Sequence, residues 1–74
     1  MSREEQKIIE YMVVCINEFA ERFNMNYKEA FNYLKGHKAI KFLRENYEIE
    51  HTLGIEDAVD DLYRITRNNG GRLV

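Results

Sequence analysis

The sequence predicts an all-α domain, a compact bundle of about four helices with a long N-terminal helix and a short extended linker before the last one. Three observations predict it. Apolar residues recur at three- and four-residue steps along most of the chain. Capping patterns stand where those runs begin, and the acids and bases of the last run are ordered as a helix dipole prefers.

The first helix is expected to start at Ser2, which forms a capping-box pattern with Glu5, while Glu4 and Glu5 suit the positive end of a helix. Ile8, Met12, Cys15, Ile16, Phe19, Ala20 and Phe23 then share one face up to Phe23 or Asn24, with Glu10, Asn17, Glu18, Glu21 and Arg22 on the other side. Ile9, Tyr11, Val13 and Val14 widen the apolar stripe, so the middle of this helix is apolar nearly all round, as in a central helix or one that also faces another chain. Asn24-Met25-Asn26 breaks the pattern. Asn26 caps a second helix with Glu29 in its third position, and Tyr27, Ala30, Phe31 and Leu34 form the buried face. Gly36 supplies the left-handed residue that follows a helix end. A third helix over residues 38 to 46 offers Ile40, Phe42, Leu43 and Tyr47 and leaves Lys38, Lys41 and Arg44 outside.

From Tyr47 to Leu53 the period changes to two, with Tyr47, Ile49, His51 and Leu53 alternating with Glu48, Glu50 and Thr52. That is an extended pattern. A lone strand has no partner for its backbone, so the segment reads as a linker crossing the core rather than an edge open to another chain. The last helix starts near Gly54 or Ile55 and turns Ile55, Ala58, Val59, Leu62 and Ile65 inward, and Arg64 and Arg67 stand near its end. Asn68-Asn69-Gly70-Gly71 stops it. Residues 69–74 read as a frayed tail. No repeat, low-complexity tract or linker divides residues 1–74, which read as one domain.

Composition narrows the class. A chain of 74 residues buries roughly 60% of its unfolded surface, and 45% apolar with 32% charged residues is a globular balance. The lone Cys15 sits in an apolar run and reads as a small buried hydrophobe. A disulfide-free domain of this size points to a reducing cytoplasm. The polar N-terminus, and an apolar run broken by Glu10 and Asn17, match neither a signal peptide nor a membrane span.

The net charge of -2 hides a partition. Residues 30–44 carry Lys35, Lys38, Lys41 and Arg44 with no acid, and residues 45–61 carry Glu45, Glu48, Glu50, Glu56, Asp57, Asp60 and Asp61 with no Lys or Arg. Such blocks pair with each other, with a second copy or with a partner. Mutual solvation and complementarity to helix ends account for most of them.

Candidate chemistry is sparse. Glu48, Glu50 and His51 put two carboxylates near an imidazole, and Glu-x-x-His belongs to helix-bundle metal sites, but those need matching motifs from other helices and this chain has one copy. His51 reads as hydrogen-bonded to a neighbouring backbone or carboxylate, and His37 as a turn residue. Cys15 lacks the setting of a nucleophile. Asp57, Asp60 and Asp61 lie close together at a helix start without an oxygen-ligand loop, and Gly70-Gly71 is no phosphate loop. Neither metal, cofactor nor catalytic residues are assigned. A helix, turn and basic helix over residues 27–46 fit a helix-turn-helix that meets phosphates through Lys35, Lys38, Lys41 and Arg44. Against it stand the acidic balance, the acidic block that follows, and Ala39 and Ile40 where base-reading side chains belong. Of nine aromatics, Tyr11, Tyr33 and Tyr63 fall off the inward stripes, and with Val14 they form a candidate protein-contact surface.

The runs Val14-Cys15-Ile16-Asn17-Glu18-Phe19-Ala20, Glu29-Ala30-Phe31-Asn32-Tyr33-Leu34 and Phe42-Leu43-Arg44-Glu45-Asn46-Tyr47-Glu48, followed by His51-Thr52 and Asp57-Ala58-Val59-Asp60-Asp61-Leu62, carry a resemblance. Together they resemble an uncharacterised family of small bacterial helical proteins, a domain of unknown function. Members of it are often encoded beside proteins resembling ADP-ribosyltransferases. The resemblance implies no catalytic residues, and it implies a role as a small accessory partner or antitoxin-like neutraliser of an effector enzyme.

The expected function is therefore a non-enzymatic interaction domain that meets a protein partner, or a second copy, through Tyr33, Glu48, Glu50, His51, Asp57, Asp60, Asp61 and Tyr63. Nucleic-acid binding is the alternative, and an enzyme would need a cleft gathering His51 with Glu48 or Asp61.

Overall fold

A computed structural model describes residues 2–72. Five helices follow one another, α1 (Arg3–Arg22), α2 (Tyr27–Gly36), α3 (Ala39–Glu45), α4 (Tyr47–Glu50) and α5 (Ile55–Asn68), and there is no strand among the described residues. The all-α bundle with a long first helix is as predicted. At 1.5 Å per residue, α1 is about 30 Å long, which sets the longest of the 37 × 22 × 21 Å extents. α2, α3 and α5 pack against α1, α3 also touches α2 and α5, and α4 hangs from α3.

Helix starts follow the sequence signals. The Glu5 N–H donates to Ser2 Oγ at 3.2 Å, one half of the expected capping box. Asn26 and Glu29 complete theirs, with Glu29 N to Asn26 Oδ1 at 2.8 Å and Asn26 N to Glu29 Oε1 at 3.0 Å. Helix ends use a second device repeatedly. At α2, α3, α4 and α5 the residue after the last helical one, His37, Asn46, His51 or Asn69, donates a side-chain N–H to the carbonyl four residues back at 2.7–2.9 Å. These bonds satisfy carbonyls that the helix leaves open.

The chain leaves α1 through Asn24 in the left-handed conformation, φ 55°, with Met25 N bonded to Ala20 O, and leaves α5 through Gly70, φ 88°, with Gly71 N bonded to Thr66 O, both at 2.8 Å. These are Schellman ends. The exit from α2 differs from expectation. Gly36 is the last helical residue, and Lys38 takes the left-handed position, φ 66°. His37 caps the helix one residue after Gly36, and that shifts the turn past the glycine.

The core is Met12, Cys15, Ile16, Phe19 and Ala20 of α1 with Ala30, Leu34, Ala39, Leu43, Ala58, Val59 and Leu62, and Thr66 closes it with its hydroxyl donated to Tyr63 O at 2.8 Å. The inward stripe of α1 is the predicted one, and Cys15 is buried in it. Tyr27 is exposed rather than buried, lying over Phe31. Asn69 to Gly71, expected to fray, are hydrogen-bonded, and Gly71 is buried where a Cβ would meet Tyr33 Oη and Thr66 O. Leu73 and Val74 lie outside the described residues.

The prediction for residues 47–53 is overturned as well. The segment expected to be an extended linker is α4 and a turn, with Glu50 N bonded to Asn46 O at 2.8 Å, His51 N to Tyr47 O at 2.9 Å and Leu53 N to Glu50 O at 3.0 Å. Without a neighbouring strand the backbone satisfies itself locally. The alternation never governs burial here, because Tyr47 and Glu50 turn inward, three residues apart, while Ile49 and Leu53 point out.

Candidate functional site

The residues that carry chemistry gather where α4 lies against α1 and α5. Tyr47 meets Tyr11 of α1 edge-on, with ring centroids 5.4 Å apart, and His51 stacks on Tyr47 at 4.5 Å. His51 Nδ1 lies 2.7 Å from Tyr47 O. A carbonyl oxygen only accepts, so Nδ1 carries the proton and Nε2 points away from this bond.

Glu50 turns into the body and is 4% exposed, the only buried residue of α4. Its Oε1 has no hydrogen-bond partner among the described residues, and neither has the buried hydroxyl of Tyr11. Burial pushes the Glu50 carboxyl up to about 7, the Asp61 side chain of α5 adds to this through a hydrogen bond and its charge, and Arg64 works against it. Arg64 is held by Asp61 itself, Nη2 to Oδ1 at 3.4 Å. Burial likewise raises Tyr11, with the Cys15 thiol and the Glu50 charge contributing, and it raises Cys15. Cys15 is therefore a buried thiol with no thiolate-stabilising cation beside it.

Beside this cluster a groove of about 720 Å3 opens between the first turns of α1 and the α3–α4 corner. Glu4, Lys7 and Ile8 of α1 line it together with Arg44, Glu45 and Asn46 and with Tyr47, Glu48, Ile49 and His51. His51 and Glu48 line it, whereas Glu50 and Asp61 do not. No group of three or more His, Cys, Asp and Glu side chains suited to a metal forms among the described residues.

The remaining predicted contact residues disperse. Asp57 is exposed in the first turn of α5, Asp60 pairs with Arg22 of α1, and Asp61 turns to Arg64 and Glu50. Arg22 also donates to Glu56 O at 3.2 Å, tying the end of α1 to the start of α5. Tyr33 is half-buried against Phe19 and His37, and Tyr63 stacks on Phe23 at 5.2 Å, so these tyrosines seal the core. Lys35, Lys38, Lys41 and Arg44 are all exposed along α2, the turn and α3, and no ion pair links them to the acidic block among the described residues. Arg44 sits among Glu4, Glu45 and Glu48 at the groove.

Exposed apolar side chains mark a surface of which sequence reasoning named Val14 but not Ile49 or Leu53. Ile49 is 66% and Leu53 37% exposed, and Val14 of α1 is 46% exposed. The extended pattern hid Ile49 and Leu53, since it placed them in a linker crossing the core.

The model of a family described as protein of unknown function (DUF3791) matches residues 10–69. The chain belongs to this family. Within DUF3791 no activity is assigned, and the matched stretch contains the whole Tyr11, Cys15, Glu50, Asp61 and Arg64 cluster but leaves out Glu4, Lys7 and Ile8 of the groove. No curated protein and no solved structure matches the chain. No helix among the described residues is long and apolar enough to cross a membrane.

Proposed function

We propose that this DUF3791 protein is a small, non-enzymatic interaction domain that docks a partner protein on α4. The observation that carries the reading is the 66% exposure of Ile49 at the rim of an open groove, with Leu53 one turn on. A large aliphatic side chain left in water on a one-turn helix is a natural anchor for a partner pocket. Glu45 and Glu48 flank it, so the matching surface carries basic side chains around an apolar centre. Glu48 and His51 belong to this contact, Asp57 extends it, and Tyr33 and Tyr63 do not take part. The resemblance to small bacterial proteins encoded beside ADP-ribosyltransferase-like enzymes makes an accessory or antitoxin-like partner of such an effector the reading of choice, acting in a cytoplasm where Cys15 stays reduced.

The test is affinity purification from the native host with the wild type and with an Ile49→Asp, Leu53→Asp variant of unchanged helicity. One partner held by the wild type and lost by the variant is expected. Recovery of the wild type alone under mild salt, or of the same partner with both proteins, counts against it.

Nucleic-acid binding keeps one supporting observation, the exposure of Lys35, Lys38, Lys41 and Arg44 on consecutive elements. It requires affinity that falls steeply with salt. No shift of a mixed DNA and RNA pool at low salt removes it.

A further inference from the structure

The segment from Asn46 to Gly54 is fastened in an unusual way. Its single buried residue is an acid, Glu50, next to a second acid, Asp61. A helix of one turn has little intrinsic stability and depends on what it buries. Here that anchor is a carboxyl with one oxygen unbonded among the described residues, as is the buried Tyr11 hydroxyl.

We propose that the buried carboxyl of Glu50 is a proton-operated latch, in which its protonated form holds α4 against α1 and α5 and loss of that proton to water releases residues 47–53. Among the described residues the charged groups that act on Glu50 are Asp61 and Arg64, and the ionisable side chains of α3, Lys41, Arg44 and Glu45, are exposed. From α1 come Tyr11 and Cys15, neutral and kept so by burial. α4 itself supplies Tyr47, an aromatic neighbour, and His51, whose Nδ1–H is spent on Tyr47 O. On α5 stand Asp61 and Arg64, and the one cation is shared with Asp61 at 3.4 Å, so two ionised carboxylates face a single, half-solvated guanidinium. Burial first, and the Asp61 side chain second, favour the protonated form of Glu50.

The protonated Glu50 carboxyl is the better buried form, pushed up to about 7 by burial, whereas the released carboxyl titrates near the ordinary 4.5. The closed state therefore binds the proton more tightly. Opening becomes more frequent as pH rises from about 4.5 to about 7 and levels off above that, a change of about tenfold or more between pH 5 and pH 8. Ile49 and Leu53 ride on the same segment, so on the docking reading above the latch sets how the anchor is presented. The latch itself does not depend on any partner.

Amide hydrogen exchange on the isolated protein tests it. After correction for the intrinsic pH dependence of exchange, protection of His51 and Leu53 amides should fall about tenfold or more from pH 5 to pH 8, while amides of α1 and α5 hold theirs. Carbon-13 titration of Glu50 in the wild type should report a midpoint near 7. Glu50→Gln should abolish the differential loss, and His51→Gln, which removes the imidazole of the segment, should keep it. A Glu50 midpoint in the ordinary carboxylate range, a pH-independent ratio of α4 to α5 protection, or an unchanged response in Glu50→Gln overturns the latch. None of these readouts involves a partner, so a failed purification with an intact latch strikes the docking reading alone.

Discussion

α2 and α4 end alike and are held differently. Each closes on a Tyr-x-x-x-His pair, in which His37 or His51 donates Nδ1–H to the carbonyl of Tyr33 or Tyr47 at 2.7 Å and lays its ring near that tyrosine, 4.4 and 4.5 Å between centroids. What they bury sets them apart. α2 seats Ala30 and Leu34 in the core, and α4 seats only Glu50. A shared cap closes a helix end, but the side chain beneath it decides whether the helix belongs to the cooperative core or to a detachable layer.

The most severe way to break the contrast is to empty the seat of α2. Leu34→Ala removes a fully buried side chain and should cost about 3 kcal/mol of global stability in urea denaturation. Ile49→Ala, on exposed α4, should stay within about 0.5 kcal/mol of wild type. Equal losses at the two positions would mean that α4 is part of the core after all.

The seat of α4 should respond to pH instead. Folded Glu50 lies near 7 against an ordinary 4.5, so the native state holds its proton more tightly and wild-type stability falls as pH rises between those values. Glu50→Gln removes the dependence. At pH 8 the variant should be more stable by about 1–2 kcal/mol, below the full value of the shift because local release relieves the rest, and at pH 4 the two should coincide. A variant less stable than wild type at pH 8 would show that the charged carboxylate is welcome where it sits.

These differences explain what the sequence could reveal. The long faces of α1 and α5 were legible because Met12, Cys15, Ile16 and Phe19, or Ala58, Val59 and Leu62, repeat through enough turns to fix a period. α4 offers one turn, in which Tyr47, Ile49, His51 and Leu53 alternate as in a strand, and nothing local says that a glutamate is the buried member. Glu48, Glu50, His51 and Asp61 were all visible as polar candidates. Their sorting was not, because the approach of Glu50 to Asp61 and Tyr11 joins three elements distant in sequence.

The paired caps sharpen the comparison further. His37→Ala and His51→Ala each remove one side-chain bond and the ring contact with the capped tyrosine, about 1 kcal/mol apiece. Loss of the His37 cap should register in global unfolding, because α2 unfolds with the core, whereas loss of the His51 cap should register mainly as faster amide exchange across residues 50–53. If both variants lower the urea midpoint equally, the two ends are not only alike in shape but equally coupled to the core.

The smallest effect tests the exit of α2. Lys38 adopts φ 66°, a left-handed conformation that a side chain with a Cβ enters at a cost of about 1 kcal/mol, whereas Gly70 serves the same position after α5 without it. Lys38 is exposed, its carbonyl accepts from Phe42 N at 3.1 Å, and no backbone bond of the turn needs its side chain. Lys38→Gly should therefore stabilise the protein by about 0.5 kcal/mol, the strain relieved being partly offset by the greater freedom of glycine in the unfolded chain. Gly36→Ala, inside the last turn of α2 with open space around its Cβ position, should stabilise by a similar amount for the opposite reason, since that residue is helical. If Lys38→Gly destabilises while Gly36→Ala does so too, the left-handed residue lies at Gly36 and the cap at His37 does not set the turn.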